Sequence, residues 1–191
     1  MTQKVHQPQY GPSAILTPAN VITIIRLLVA PFVLWLIIDQ HYGWAVWVLW
    51  IVITASDSLD GYLARKQGTT RSGAFLDPLA DKFLALGGLW AVVIAGRSWW
   101  WWIPVALMTL REVIISVFRW YWGRRGLSVQ ASKVAKFKTF LQFNVVWWAV
   151  LPITTDWNLV VNAILIVATA VTWVSALQYI TAGSRATTEM S

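Results

Sequence analysis

Long apolar stretches separated by short polar connectors constrain the fold of this chain more than any other feature. The stretches occupy residues 21–38, 44–55, 78–95, 100–120, 140–153 and 159–180. A helix needs about 20 apolar residues to cross a bilayer. Hydrophobic residues make up 58% of the chain and charged residues only 12%, which is far from the balance of a soluble domain. The sequence therefore predicts an all-α, polytopic membrane protein with six transmembrane helices.

The ends of these predicted helices carry recognisable signals. Thr17 is the predicted N-cap of the first helix, with Pro18 at its first position. Four consecutive tryptophans, Trp99 to Trp102, are predicted to form an aromatic belt at the membrane interface. The predicted domain organisation is a disordered tail over 1–15, one helical domain over 16–182 and a second disordered tail over 183–191.

Basic residues are concentrated on one side of the predicted membrane topology. The connector after the second span contains Arg65, Lys66 and Arg71, and the connector after the fourth is also basic, whereas Arg97 is the basic residue of the opposite connectors. By the positive-inside rule, both termini are predicted to be cytoplasmic. The net charge of +7 thus indicates anionic lipid or phosphate-bearing ligands rather than a nucleic acid partner.

Four of the eight acidic residues lie in two short segments next to the second and third spans. On a helix, Asp57 and Asp60 share one face, and Asp77 and Asp81 share another. Both pairs are predicted on the cytoplasmic side, so the four carboxylates can meet there. Because clustered carboxylates repel one another unless cations neutralise them, the sequence predicts a divalent metal site.

The chemistry that suits such a site is displacement at phosphorus. Two divalent ions can polarise a pyrophosphate and stabilise the attacking and leaving oxygens, and a set of oxygen ligands fits Mg²⁺ or Mn²⁺. An ion-coupled transporter is the alternative from another class, because acidic residues in membrane helices also mark ion pathways. The internal repeat usual in transporters is not visible in this sequence.

Other residues near the acidic segments have two interpretations each. Gly61 and Ala64 lie on the helical face of the first acidic pair, where they either let a nucleotide approach the backbone or let helices pack closely. Arg65 either pairs with phosphate or is a topology charge. Arg26, in the first span, either extends toward the aqueous side or contacts a substrate or an active-site carboxylate.

The acidic segments also carry a resemblance to a known family. The spacing Asp57-x-x-Asp60-Gly61-x-x-Ala64-Arg65, seven residues, Gly73-x-x-x-Asp77-x-x-x-Asp81 resembles the complete signature of the CDP-alcohol phosphatidyltransferases. Similarity to the bacterial branch of that family that produces phosphatidylglycerophosphate extends over about 16–182. It includes the segments 16–26, 77–82, 111–119, 136–142 and 175–179. Ala135 is a departure, since that branch commonly has glycine there.

The resemblance implies a reaction and roles for the residues of the signature. Family members are six-helix membrane enzymes, usually homodimers, that transfer a phosphatidyl group from CDP-diacylglycerol to an alcohol and release CMP. The implied ligands of two Mg²⁺ or Mn²⁺ ions are Asp57, Asp60, Asp77 and Asp81. Asp81 is also the implied general base for the acceptor hydroxyl. The implied CDP-binding residues are Gly61, Ala64, Arg65 and Gly73.

The acceptor implied by the branch is sn-glycerol 3-phosphate. Its phosphate needs cations separate from the metal site, and the candidates are Arg111, Arg119, Lys136 and Lys138. Arg111 is embedded in an apolar run, where Glu112 could pair with it or with a neighbour. A cardiolipin synthase using phosphatidylglycerol, or a phosphatidylinositol phosphate synthase, would carry the same signature. The implied location is a bacterial-type inner membrane with the active site facing the cytoplasm.

Overall fold

Regular structure in this protein is helical wherever the structure describes the chain. The computed structural model describes residues 17–41, 43–67, 73–124, 133–154 and 156–188. The α-helices in chain order are α1 (Pro18–Ile38), α2 (Trp44–Gln67), α3 (Gly73–Ile94), α4 (Trp102–Arg124), α5 (Lys133–Val150) and α6 (Asn158–Thr188). Short 3₁₀ turns precede α4 and α6. The predicted all-α class is confirmed over these residues.

Within the described part of the chain, three helical stretches are long and apolar enough to cross a membrane. They are Asn20–Ile38, Trp99–Tyr121 and Asn158–Tyr179, and a shorter apolar helix occupies Trp44–Ser56. These stretches coincide with the first, fourth, sixth and second predicted spans. The other two predicted spans lie within α3 and α5, which are helical.

Helix α1 begins where the sequence predicts, with Thr17 as its N-cap. The Thr17 side chain accepts a hydrogen bond from the backbone N–H of Asn20 at 3.3 Å, and Pro18 occupies the first turn. Such a cap satisfies a backbone N–H that has no acceptor within the helix. Proline at the first helical position removes no intrahelical hydrogen bond, because an N–H at that position would have no acceptor within the helix either.

α3 begins at Gly73, so the helix includes residues before the predicted third span, and Pro78 lies inside it, in its second turn, where it supplies no N–H to the helix. Two other helix boundaries differ from the prediction. α5 begins at Lys133, so residues 133–138, predicted as connector, are helical. α6 continues to Thr188, which makes residues 183–188 helical instead of part of a disordered tail. The predicted N-terminal tail lies outside the described residues.

The tryptophan run is only partly the interfacial belt that the sequence predicts. Trp99 is 83% exposed and Trp102 is also exposed, as a belt requires. Trp101, by contrast, is fully buried and donates its indole N–H to Oδ1 of Asn162 on α6 at 2.8 Å. Trp101 therefore anchors the start of α4 inside the protein, because a buried indole needs a hydrogen-bond acceptor and Asn162 supplies one.

The helices form two groups that meet along α3 and α5. α1 packs against α2 and α3, while α6 packs against α4 and α5. Contacts of α3 with α4 and α5, and of α2 with α5, join the two groups. Trp50 of α2 lies at this junction, almost fully buried, and donates its indole N–H to the carbonyl of Phe143 at 3.3 Å.

Glycine at position 88 lets α3 approach Trp50. A Cβ atom at Gly88 would lie 2.3 Å from Cη2 of Trp50. The indole is held by its hydrogen bond to the carbonyl of Phe143 on α5, and moving it away from Gly88 would disturb that bond. We expect Gly88→Ala to lower stability, because overpacking costs up to about 3 kcal/mol. That cost exceeds the roughly 1 kcal/mol that alanine gains over glycine in a helix. Thermal unfolding of the detergent-solubilised protein would measure the change.

Gly43→Ala is the matched control for this substitution. A Cβ atom at Gly43 would have its nearest neighbour, the carbonyl oxygen of His41, at 4.0 Å, which is ordinary van der Waals contact. We expect the Gly43 variant to unfold close to the wild-type temperature. Equal melting temperatures for the two variants would contradict the close approach of α3 and Trp50.

Candidate active site

The second acidic pair of the sequence motif lies on α3, on the side that contacts α1. Asp77 and Asp81 are one helical turn apart. Oδ1 of Asp77 accepts a hydrogen bond from the hydroxyl of Thr23 on α1 at 3.1 Å. Oδ1 of Asp81 lies 3.7 Å from Nη1 of Arg26, one turn further along α1. The spacing i, i+4 therefore directs both carboxylates toward the same neighbouring helix.

Arg26 links this pair to the segment that holds the first acidic pair. Its guanidinium is buried, with 2% of the residue exposed, and its Nε donates a hydrogen bond to Oγ of Ser56 at 3.1 Å. Ser56 directly precedes Asp57 on α2. The burial and the ion pair with Asp81 favour the carboxylate contact over the topology role that the sequence left open. Arg26 thus contacts one member of the second acidic pair and the residue that precedes the first pair.

The first acidic pair and its neighbours are described by their backbone alone. α2 continues through Gln67, so Asp57, Asp60, Gly61 and Ala64 share one helical face as the sequence predicts. The side chains of these residues, and those of Arg65 and Gly73, lie outside the described part of the structure. Their predicted roles in metal and CDP binding remain predictions.

The described carboxylates fit a divalent metal ion chemically. Asp77 and Asp81 offer oxygen ligands, the type that Mg²⁺ and Mn²⁺ prefer. Thr23 and Arg26 orient these carboxylates through contacts with Oδ1 of Asp77 and Oδ1 of Asp81. Among the described side chains, no group of three or more acidic, histidine or cysteine residues is arranged to hold a metal. A complete site would need the first acidic pair as well.

A second polar site is buried between α4, α5 and α6, and Arg111 lies at its centre. Only 3% of Arg111 is exposed. Its Nε donates to the carbonyl of Thr172 at 3.1 Å and its Nη2 to Oγ of Ser175 at 2.5 Å, both on α6. Its Nη1 donates to Oε1 of Glu112 at 2.7 Å. This arginine is accordingly fixed in position by three different acceptors, and the predicted pairing of Arg111 with Glu112 is confirmed.

Glu112 extends the same network to α5. Its Oε1 also accepts a hydrogen bond from Nζ of Lys138, which is buried as well. One carboxylate oxygen therefore holds an arginine from its own helix and a lysine from the next. Burial is possible for these charges because each is paired and hydrogen-bonded.

The four predicted acceptor residues have different environments. Arg111 and Lys138 are brought together through Glu112. Arg119, two turns beyond Arg111 on α4, is exposed. Lys136 lies on α5, and its side chain is outside the described residues. Contact of any of them with an acceptor phosphate remains a prediction.

The structure adds a polar contact that the sequence reasoning missed. Nζ of Lys82, which directly follows Asp81, donates to Oγ of Ser116 on α4 at 2.5 Å. The hydroxyl of Ser116 in turn donates to the backbone carbonyl of Glu112. The signal available in the sequence was the position of Lys82, which directly follows Asp81 of the family signature and precedes an apolar run. Its partner could not be identified because Ser116 lies 34 residues away.

The fold and these sites define an all-helical protein with membrane-length apolar helices, carboxylates at one helix junction and buried cations at another. The chain belongs to the CDP-alcohol phosphatidyltransferase family, whose model matches residues 16–176. It is therefore a member of a family of transferases, as the signature in the sequence indicated.

Individual relatives agree with that assignment. A protein of Cereibacter sphaeroides named CDP-diacylglycerol–glycerol-3-phosphate 3-phosphatidyltransferase is 40% identical over 131 residues, which cover 64% of this chain and 58% of the relative. Proteins of the same name from Salmonella choleraesuis and Shigella flexneri are 33% and 34% identical over 169 residues. Those matches cover 85% of this chain and 92% of each relative.

Proposed function

We propose that this protein transfers the phosphatidyl group of CDP-diacylglycerol to sn-glycerol 3-phosphate, producing phosphatidylglycerophosphate and CMP for phospholipid biosynthesis. Membership of the family and the names of the relatives support this reaction. The structural observation that carries it is the contact of Arg26 with both Asp81 and Ser56, the residue before Asp57. This contact supports the proposal that both acidic pairs act at one helix junction, as displacement at a pyrophosphate requires.

The proposed mechanism uses the two acidic pairs and the acceptor cations in separate roles. Asp57, Asp60, Asp77 and Asp81 would hold two Mg²⁺ or Mn²⁺ ions, which neutralise pyrophosphate charge when bound. Asp81 takes the proton of the acceptor hydroxyl as general base. The hydroxyl oxygen then bonds to the β-phosphorus, the bond from that phosphorus to the CMP oxygen breaks, and CMP leaves. Arg26 limits the movement of Asp81 by its charge at 3.7 Å.

Substrate binding is assigned to residues on either side of this centre. Gly61, Ala64, Arg65 and Gly73 contact the CDP portion of the donor, with Arg65 near the pyrophosphate. The acceptor phosphate is bound among Arg111, Arg119, Lys136 and Lys138. The buried, hydrogen-bonded position of Arg111 supports this division, because a fixed guanidinium offers its remaining N–H groups in a defined direction.

The proposed setting is a bacterial-type inner membrane. Six helices would cross the bilayer, with both termini and the active site on the cytoplasmic side, where glycerol 3-phosphate is available. The distribution of Lys and Arg in the connectors supports this orientation. The functional unit would be a homodimer, as is usual in the family.

Release of CMP by the purified protein with a panel of acceptors tests the function. We expect CMP release from CDP-diacylglycerol in the presence of Mg²⁺ or Mn²⁺ when glycerol 3-phosphate is supplied, and little with inositol phosphate or phosphatidylglycerol. A chelator should stop the reaction, and added metal should restore it. If inositol phosphate or phosphatidylglycerol supported turnover and glycerol 3-phosphate did not, the proposed acceptor would be wrong.

A further inference from the structure

Among the described residues, the polar site around Glu112 carries more positive than negative charge. Arg111 and Lys138 contact Oε1 of Glu112, and Lys82 contacts Ser116, whose hydroxyl donates to the backbone carbonyl of Glu112. The described cluster therefore contains three cations and one carboxylate. An excess of buried or half-buried positive charge is costly unless an anion neutralises it. The cluster is consequently suited to bind an anionic ligand.

The cations of this cluster differ in how far their charge is already neutralised. Arg111 and Lys138 both contact Oε1 of Glu112. Lys82 instead donates to Oγ of Ser116, a neutral hydroxyl. A hydroxyl orients an ammonium group without cancelling its charge, and the ammonium has three N–H donors. Lys82 thus combines a fixed position with a charge that can attract a second anion.

The position of Lys82 in the fold relates the cluster to the acidic site. Lys82 follows Asp81 on α3, but the two side chains contact different neighbours. Asp81 faces Arg26 on α1, whereas Lys82 reaches Ser116 on α4. α3 therefore presents the proposed general base and a cation side by side, at the boundary between the two helix groups.

We propose that Lys82, oriented by Ser116, binds the phosphate of the acceptor and places its hydroxyl beside Asp81. This inference rests on the proposed function and adds a binding residue to the acceptor side. Arg111 and Lys138 belong to the same cationic cluster as Lys82, and both contact Oε1 of Glu112. Ser116 acts as a positioning residue, since it contacts Lys82 and the backbone of Glu112.

Steady-state kinetics of Lys82→Met distinguishes substrate binding from a general structural role. We expect the KM for glycerol 3-phosphate to rise about 10- to 100-fold, the range that follows from losing a hydrogen bond to a charged group. The KM for CDP-diacylglycerol should change less than twofold. Inorganic phosphate, used as the probe ligand, should inhibit the wild-type protein competitively against glycerol 3-phosphate and inhibit the variant at least 10-fold more weakly.

Two companion variants make the result specific. Lys82→Arg keeps the positive charge, so it should restore most of the affinity for glycerol 3-phosphate. Ser116→Ala should raise the same KM by a smaller factor, because the ammonium remains but loses its orientation. An unchanged KM for glycerol 3-phosphate in Lys82→Met, with or without a lower kcat, would overturn the inference. Wild-type turnover with glycerol 3-phosphate in that experiment would leave the proposed function intact, whereas its absence would refute the function itself.

Discussion

Replacing Asp81 with asparagine is expected to slow phosphatidyl transfer by about 100- to 10,000-fold, the contribution typical of a general base. The amide cannot accept the proton of the acceptor hydroxyl at neutral pH, and it is a weaker metal ligand than a carboxylate. The fold should survive the change. The Asp81 side chain is 36% exposed, its contact with Arg26 is 3.7 Å long, and asparagine has the same shape.

The rate of CMP release measures the effect. Asp39→Asn is the control, because it makes the same aspartate-to-asparagine replacement away from the proposed site. Asp39 lies at the opposite end of α1, where its side chain is 55% exposed and contacts His41. That variant should retain wild-type turnover. A near-normal rate for Asp81→Asn, in protein that elutes and melts as the wild type does, would remove Asp81 from its proposed role.

The second large effect is expected on stability, from Glu112→Gln. The substitution keeps the size of the side chain but removes the negative charge that Arg111 and Lys138 share. Two buried cations would then face each other without a counter-charge. Breaking a buried ion pair by removing one partner costs about 3–5 kcal/mol. We expect a clear fall in the unfolding temperature of the detergent-solubilised protein.

The double variant Glu112→Gln with Lys138→Met tests whether the lost charge balance causes that fall. Methionine keeps much of the apolar length of lysine and removes the cation. The double variant should therefore be more stable than Glu112→Gln alone, although Arg111 still lacks its carboxylate. If Glu112→Gln melted at the wild-type temperature, or if the double variant melted lower still, the network would not hold α4, α5 and α6 together as described.

Much of the fold could be predicted from the sequence because the apolar stretches and helix signals are local. The first helix and its Thr17 cap are examples, since both depend on a few neighbouring residues. The start of α5 was wrong because the polar residues 133–138 were assigned to a connector. In α3, the helix likewise begins at Gly73, before the apolar stretch that was predicted to cross the membrane. Composition alone does not distinguish a polar helix end from a polar loop.

The helical face that Asp77 and Asp81 share was predictable from the sequence, and the contacts of the candidate site were less so. The spacing of Asp77 and Asp81 indicated a shared helical face, which the structure bears out for those two side chains. The partner of Arg26 and the contact between Lys82 and Ser116 depend on how α1 and α4 are rotated against α3. Such rotations are decided by packing across the bundle, for instance by Trp50 against Gly88, and leave no local pattern in the sequence.

The placement of Asp81 and Lys82 on consecutive positions of α3 has a mechanical consequence. Consecutive residues of an α-helix point roughly 100° apart. A turn of α3 about its axis would therefore shift both side chains in the same sense and change both distances together. The separation of the two Cα atoms is fixed by the backbone and does not depend on the distance between the two helix groups. The points of attachment of the proton acceptor and the ammonium group therefore move together, and an acceptor bound to Lys82 would move in the same direction as the backbone of Asp81.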